Sequence, residues 1–185
     1  GRSPSWTLPD APVSLRARLL LLLTVALLAG GVFLPVLRLG FIVLDDPLYV
    51  MENPMVRRGL TPGGCRWAFT SVGYAANWHP LTWLSHQADV SFFGLAPAGH
   101  HLTSLVLHVA SAILLLLVLE AATGALGRSA FVAGAFALHP LHVESVAWVA
   151  ERKDVLAGLF WMLTLAAYLG HVRRPGRARL LLALL

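Results

Sequence analysis

Leu19-Leu20-Leu21-Leu22-Leu23-Thr24-Val25-Ala26-Leu27-Leu28-Ala29-Gly30-Gly31-Val32-Phe33-Leu34-Pro35-Val36-Leu37 is the stretch that decides the fold. Its 19 residues carry no charge, and about 20 such residues cross the ~30 Å hydrocarbon of a bilayer as one helix. The run exceeds a usual signal core, and Arg38 stands where a small-residue cleavage site would follow. Gly30, Gly31 and Pro35 fit a span whose neighbours re-satisfy the backbone. Composition extends the reading to the whole chain. Of 185 residues, 57% are hydrophobic and 12% charged, which excludes a soluble domain and describes a multi-span membrane protein. The single cysteine, Cys65, excludes a disulfide framework within the chain and a multi-cysteine metal site.

Outward from the first span the chain divides readily. Residues 1–18 are polar, end on Arg16 and Arg18, and read as a cytoplasmic lead-in. Residues 19–185 read as a membrane domain, with spans expected at 19–37, 102–122, 124–140 and 155–172 and a fifth starting at 179. The chain begins without Met and stops inside an apolar run, so it reads as a fragment. The expected fold class is all-α, a multi-span transmembrane bundle with amphipathic interfacial helices in the first outer loop, 38–101. In that loop Thr61-Pro62 is an N-cap followed by proline at the first helical position, which predicts a helix to about Thr70. Pro80 opens another, through about Phe93. Leu81, Leu84, Ala88 and Phe92 form its apolar stripe, and Thr82, Ser85, His86 and Asp89 the opposite face, as in a helix lying in the interface plane. His139-Pro140 interrupts the third span. His108, inside the second, reads as a hydrogen-bonding group of the bundle interior.

Arginine and lysine near span ends set the orientation. With the N-terminus inside, the inner face holds Arg2, Arg16, Arg18, Arg128, Arg173, Arg174, Arg177 and Arg179, against Arg38, Arg152 and Lys153 outside. The net charge of +5 is then a topology signal, and no nucleic-acid partner is expected. The same orientation gathers Asp45, Asp46, His79, His86, His100, His101, His139, His142, Glu144, Glu151, Arg152, Lys153 and Asp154 on or near the outer face. Ionisable groups at a membrane surface are functional suspects. Leu44-Asp45-Asp46-Pro47-Leu48-Tyr49 stands out among them, although Asp-Asp-Pro is also good turn chemistry.

Phosphate-loop, nucleophile-elbow, dinucleotide and zincin motifs are absent from the sequence. A carboxylate at the interface can take the proton from an acceptor hydroxyl as it attacks a sugar carbon. Arg152 and Lys153 are candidates to hold the phosphate of a lipid-linked leaving group, against the ordinary role of flanking charge. His139 and His142, with Asp45, Asp46 or Glu144, could form a His/carboxylate site for a divalent metal. Interfacial hydrogen bonding is the commoner role of such histidines.

Asp45-Asp46-Pro47-Leu48-Tyr49-Val50 with Asn53, Asn77-Trp78-His79-Pro80-Leu81-Thr82-Trp83-Leu84-Ser85-His86, His100-His101-Leu102-Thr103, and the block from Ala137 through His139-Pro140-Leu141-His142-Val143-Glu144 to Leu156 together carry a resemblance. Over about Phe41 to Arg174 the chain resembles the N-terminal membrane region of the transmembrane and tetratricopeptide-repeat (TMTC-type) protein O-mannosyltransferases, most of all their bacterial relatives. The resemblance implies a GT-C-type fold and a polyprenyl-phosphate sugar as donor, with no other cofactor. It implies transfer to a protein acceptor on the periplasmic or lumenal face, and helical repeats further along. The membrane would be the bacterial inner membrane, or the endoplasmic reticulum in a eukaryote. It places Asp45, Asp46 and Glu144 as catalytic carboxylates, with Asp45 favoured as the base. His79, His86, His139, His142, Arg152 and Lys153 fall on the donor side. Two other readings are open: a scaffold module of a repeat protein, and a metal-dependent membrane protein built on the histidines.

Overall fold

The computed structural model describes residues 14–184; the expected lead-in up to residue 13, and Leu185, lie outside them. Helix α1, Leu15–Phe33, starts where Ser14 Oγ accepts the Ala17 amide at 3.2 Å and runs into a 3-10 turn, Leu34–Arg38, at Pro35. Helix α2, Pro62–Thr70, is capped by Thr61, whose hydroxyl accepts from Gly64 N at 3.0 Å. Helices α3, Pro80–Phe93, and α4, Pro97–Thr123, both begin on proline, where the missing N–H costs nothing. A Cβ on Gly99 would run into the Phe93 ring, so the α3–α4 corner closes only on glycine. Gly124, at φ 71°, ends α4 in the left-handed conformation and returns its N–H to Glu120 O at 2.8 Å. Helices α5, Leu126–Leu138, α6, His142–Ala147, α7, Arg152–Arg173, and α8, Arg177–Leu184, follow. Among the described residues there is no strand.

Three segments are long and apolar enough to cross a membrane: Leu15–Arg38, Pro97–Thr123 and Val149–Arg173. The chain is therefore described as an all-α membrane bundle. Where a span was expected at 124–140 stands α5, a helix of 13 residues. At 1.5 Å per residue it is only ~20 Å long. It stops because Pro140 cannot continue a helix.

Helix α4 is the centre, packed against α1, α5 and α7. Ala29, Ala112, Ala133 and Ala137, with Val25, Leu116 and Leu126, form its seam with α1 and α5. Small residues let backbones approach, which is how helices associate where lipid offers no hydrophobic drive. At one end Arg18 pairs with Glu120 at 2.9 Å, and the Arg173 guanidinium reaches Ala121 O. The start of α1 and the ends of α4 and α7 thus share a level. Leu20, Leu27, Val32, Phe131 and Trp161 remain exposed on the outside, as befits surfaces in contact with acyl chains.

At the opposite end the long segment between α1 and α4 builds its own core from Tyr49, Val50, Val56, Ala68 and Trp83, closed by Val149 and Ala150. Asn53, fully buried, holds the loop after Tyr49 by accepting the Met55 and Val56 amides at 3.0 and 3.1 Å. Helix α3 differs from a simple interfacial helix. Its polar face, Thr82, His86 and Asp89, is buried, and Leu81 and Phe92 are exposed. The face turns inward because Asp89 and Ser85 find partners on α4 and α7.

Candidate functional site

Asp45 and Asp46 are neighbours in sequence with opposite surroundings. Asp45 is exposed. Asp46 is fully buried, and its two carboxylate oxygens accept the Ile42 amide at 2.7 Å and the Ala150 amide at 2.8 Å. Burial raises its pKa, and the two backbone hydrogen bonds oppose the rise.

After Asp46 the chain makes a single π turn, Pro47–Met51, a distortion that recurs at functional positions. It delivers Tyr49 into an aromatic pit, 4.9 Å from the Trp83 ring and 5.4 Å from His79, with His79 and Trp83 4.7 Å apart. Lys153 Nζ sits 5.9 Å from the Tyr49 ring centroid and 2.7 Å from Glu151 Oε1. The Tyr49 hydroxyl is pushed above its ordinary pKa by burial; Lys153 opposes the shift, and Asp45 and Glu151 add to it. Asp45, Tyr49, His79, Glu151 and Lys153 therefore form one constellation. Next to it lies a cleft of about 660 Å³ between α3 and α7, walled by Trp78, Leu81, Leu156 and Phe160, with His79 and Lys153 as polar lining. The sequence names Tyr49 in the Asp-Asp-Pro stretch and Glu151 among the outer-face charges but gives neither a role. Their signal there, adjacency to the Asp pair and to Lys153, is weak without the fold.

Arg152 points the other way. It is fully buried and pairs with Asp89 at 2.8 Å. Its remaining N–H groups donate to Ser104 Oγ at 3.0 Å, Ser85 Oγ at 2.7 Å and His100 O at 2.6 Å. Asp89 also accepts from Thr103 Oγ1 at 2.6 Å and faces His100 Nδ1 at 3.4 Å. This hub ties α3, α4 and α7 together and commits the guanidinium inside the protein. His86 stands beside it, fully buried, with both ring nitrogens unpartnered.

The remaining candidates lie elsewhere. His142 stacks near His108 and Phe136, with ring centroids 5.1 and 4.4 Å away, and His139 is 6.3 Å from His142. His108 itself donates to Ala137 O at 3.0 Å, the bundle-interior role read from its position. His142 lines a cavity of about 180 Å³ with Ser111, Ser145 and Asp154. Glu144 is exposed and borders a separate groove with Leu39, Ile42 and Trp148.

For a metal, the compact set is His86, Asp89 and His100, with ligand atoms within 4.8 Å of one another. It differs from the set that could be drawn at His139 and His142. Asp89 already neutralises Arg152, so a divalent ion here would leave uncompensated positive charge in a buried site, which is costly. The donor set fits an ion pair better than a metal.

Burial lowers the pKa of His79, and of His86 well below the ordinary value, with Lys153 and Arg152 respectively adding to the effect. Both shifts favour the neutral ring. A lowered folded-state pKa means the stability contribution is full above the unfolded value of about 6.5 and is lost as pH falls toward the folded value. Asp46, shifted upward, contributes with the opposite sign. The unfolding midpoint of the purified protein is expected to fall on acidification from about pH 7 to pH 5. His86→Leu should flatten that dependence; an unaltered pH profile in His86→Leu would remove His86 as its source.

These features define a polytopic α-helical membrane protein. Its polar constellation lies at the end of the bundle opposite the Arg18–Glu120 pair. The chain is similar to the protein O-mannosyl-transferase tmtc2 of Xenopus laevis, 36% identical over 108 residues, 58% of this chain and 13% of that protein. It is similar to the protein O-mannosyl-transferase Tmtc2 of Drosophila melanogaster, 32% identical over 158 residues, 79% of this chain and 16% of that protein. It is also similar to the protein O-mannosyl-transferase TMTC1 of Mus musculus, 34% identical over 140 residues, 70% of this chain and 14% of that protein. No family model and no solved structure matches. The chain belongs to the TMTC family. It spans less than one quarter of the length of these relatives.

Proposed function

We propose that this chain forms the donor-side part of a membrane protein O-mannosyl-transferase that uses a polyprenyl-phosphate sugar. The observation that carries the reading is the position of Lys153, at an apolar cleft and beside the Asp45–Tyr49 turn. The polyprenyl chain lies in the cleft between α3 and α7, continuous with the lipid. The Lys153 ammonium exchanges Glu151 for the donor phosphate, a charge-assisted contact suited to a point cation. Asp45 takes the proton from an acceptor hydroxyl as its oxygen attacks the sugar C1. The C1–O bond breaks with its electrons going to the phosphate, and the anomeric centre inverts. No divalent metal enters this scheme. Glu144 and His142 border neighbouring grooves and, with His139 beside His142, would serve the acceptor side. The active face lies outside the cytoplasm, a reading that the arginine asymmetry supports.

Lys153→Gln in the full-length protein is expected to raise the donor KM by about tenfold to a hundredfold, the ~1.5–3 kcal/mol of a hydrogen bond to a charged group. Transfer assayed against donor concentration in membranes measures this. An unchanged donor KM would take Lys153 out of the donor site.

A further inference from the structure

We infer that Asp46 is a positioning residue, a clamp that fixes the α6–α7 connection, with its turn Val149–Glu151, on the loop after α1 so that Lys153 and Glu151 stand opposite Asp45. Its two oxygens accept the amides of Ile42, four residues before it, and of Ala150, 104 residues after it and just before the Glu151-Arg152-Lys153 turn. Fully buried, with a backbone amide on each oxygen, this carboxylate is out of reach of an acceptor hydroxyl. The Ala150 amide lies in the 3-10 turn Val149–Glu151, which runs directly into α7. First-turn amides of a helix have no partner within it. Asp46 supplies one from a different loop, and so sets where α7 begins. On the far side of the same turn, Arg152 is held by Asp89. Lys153 is therefore placed from two directions, by Asp46 through Ala150 and by Asp89 through Arg152. Two adjacent carboxylates thus divide the work: Asp45 faces the reacting groups, and Asp46 holds the loop that carries the phosphate-binding cation.

The kinetic part of this inference rests on the transferase reading; the structural part does not, and the test separates them. Amide hydrogen exchange and donor kinetics are measured on the full-length protein as wild type, Asp45→Asn, Asp46→Asn and Ala150→Pro. The last removes the donated N–H and keeps both carboxylates; proline is tolerated in a first turn. Asp46→Asn is expected to speed exchange at Ile42, Ala150 and Glu151, whereas Asp45→Asn leaves these amides at the wild-type rate. Asp46→Asn and Ala150→Pro should each raise the donor KM by about tenfold, the size of one charge-assisted hydrogen bond. kcat at saturating donor and the acid limb of its pH profile should survive in both. Loss of kcat and of the acid limb in Asp46→Asn, with exchange unchanged, would make Asp46 the base and overturn the clamp. Wild-type kinetics and exchange in Ala150→Pro would overturn it too, even if Asp46→Asn fails to fold. Should the wild type transfer nothing, the transferase reading fails and the exchange rates alone decide the clamp.

Discussion

Asp89→Ala is expected to lower the stability of the purified protein by about 3–5 kcal/mol, the cost of leaving a buried charge without its partner. Asp89 faces the buried Arg152 guanidinium and His100 Nδ1 and accepts the half-buried Thr103 hydroxyl. Removing it strands Arg152, which the ordinary stability of a domain, about 5–15 kcal/mol, absorbs only in part. The loss should appear as a lower unfolding midpoint and a lower yield of monodisperse protein. Replacing both partners by apolar groups, Asp89→Leu with Arg152→Met, should recover a large part of it, since apolar replacements of a buried pair are often neutral or better. An unchanged midpoint in Asp89→Ala would mean that the hub contributes nothing to holding α3, α4 and α7 together.

Asp45→Asn is expected to reduce transfer by about 10²–10⁴-fold at saturating donor, the range that general-base catalysis supplies. Asparagine keeps the shape of the side chain and loses the proton acceptor. Because Asp45 is exposed, the unfolding midpoint should stay at the wild-type value. This pairing of large kinetic loss with unaltered stability is opposite to the behaviour expected of Asp89→Ala. Full activity in Asp45→Asn would move the base elsewhere, with Glu151 the nearest alternative carboxylate to Tyr49 and Lys153.

The long apolar helices were legible because hydropathy is a local property. Leu19–Leu37 lies within the segment Leu15–Arg38, and 102–122 within Pro97–Thr123. The starts of α2 and α3 were legible for the same reason, since Thr61-Pro62 and Pro80 state their own geometry. The division of labour within pairs was not. Asp45 and Asp46 differ by one residue, and so do Arg152 and Lys153. Which member points inward is set by partners 104 and 63 residues away, Ala150 for Asp46 and Asp89 for Arg152. Nothing local to either pair records those contacts. The polar face of α3 shows the same limit. Periodicity found both faces, but only the buried cation on α7 explains why the polar one is inside. Tyr49 belongs to the site through a π turn, which has no reliable sequence signature.

The most direct test of the central claim is transfer of radiolabelled mannose from polyprenyl-phosphate mannose to protein, assayed in membranes carrying the full-length protein with and without a metal chelator. The account predicts labelled protein that forms with the donor, persists in chelator and disappears in Asp45→Asn. Absence of labelling with the wild type, or labelling that survives Asp45→Asn unchanged, would contradict it.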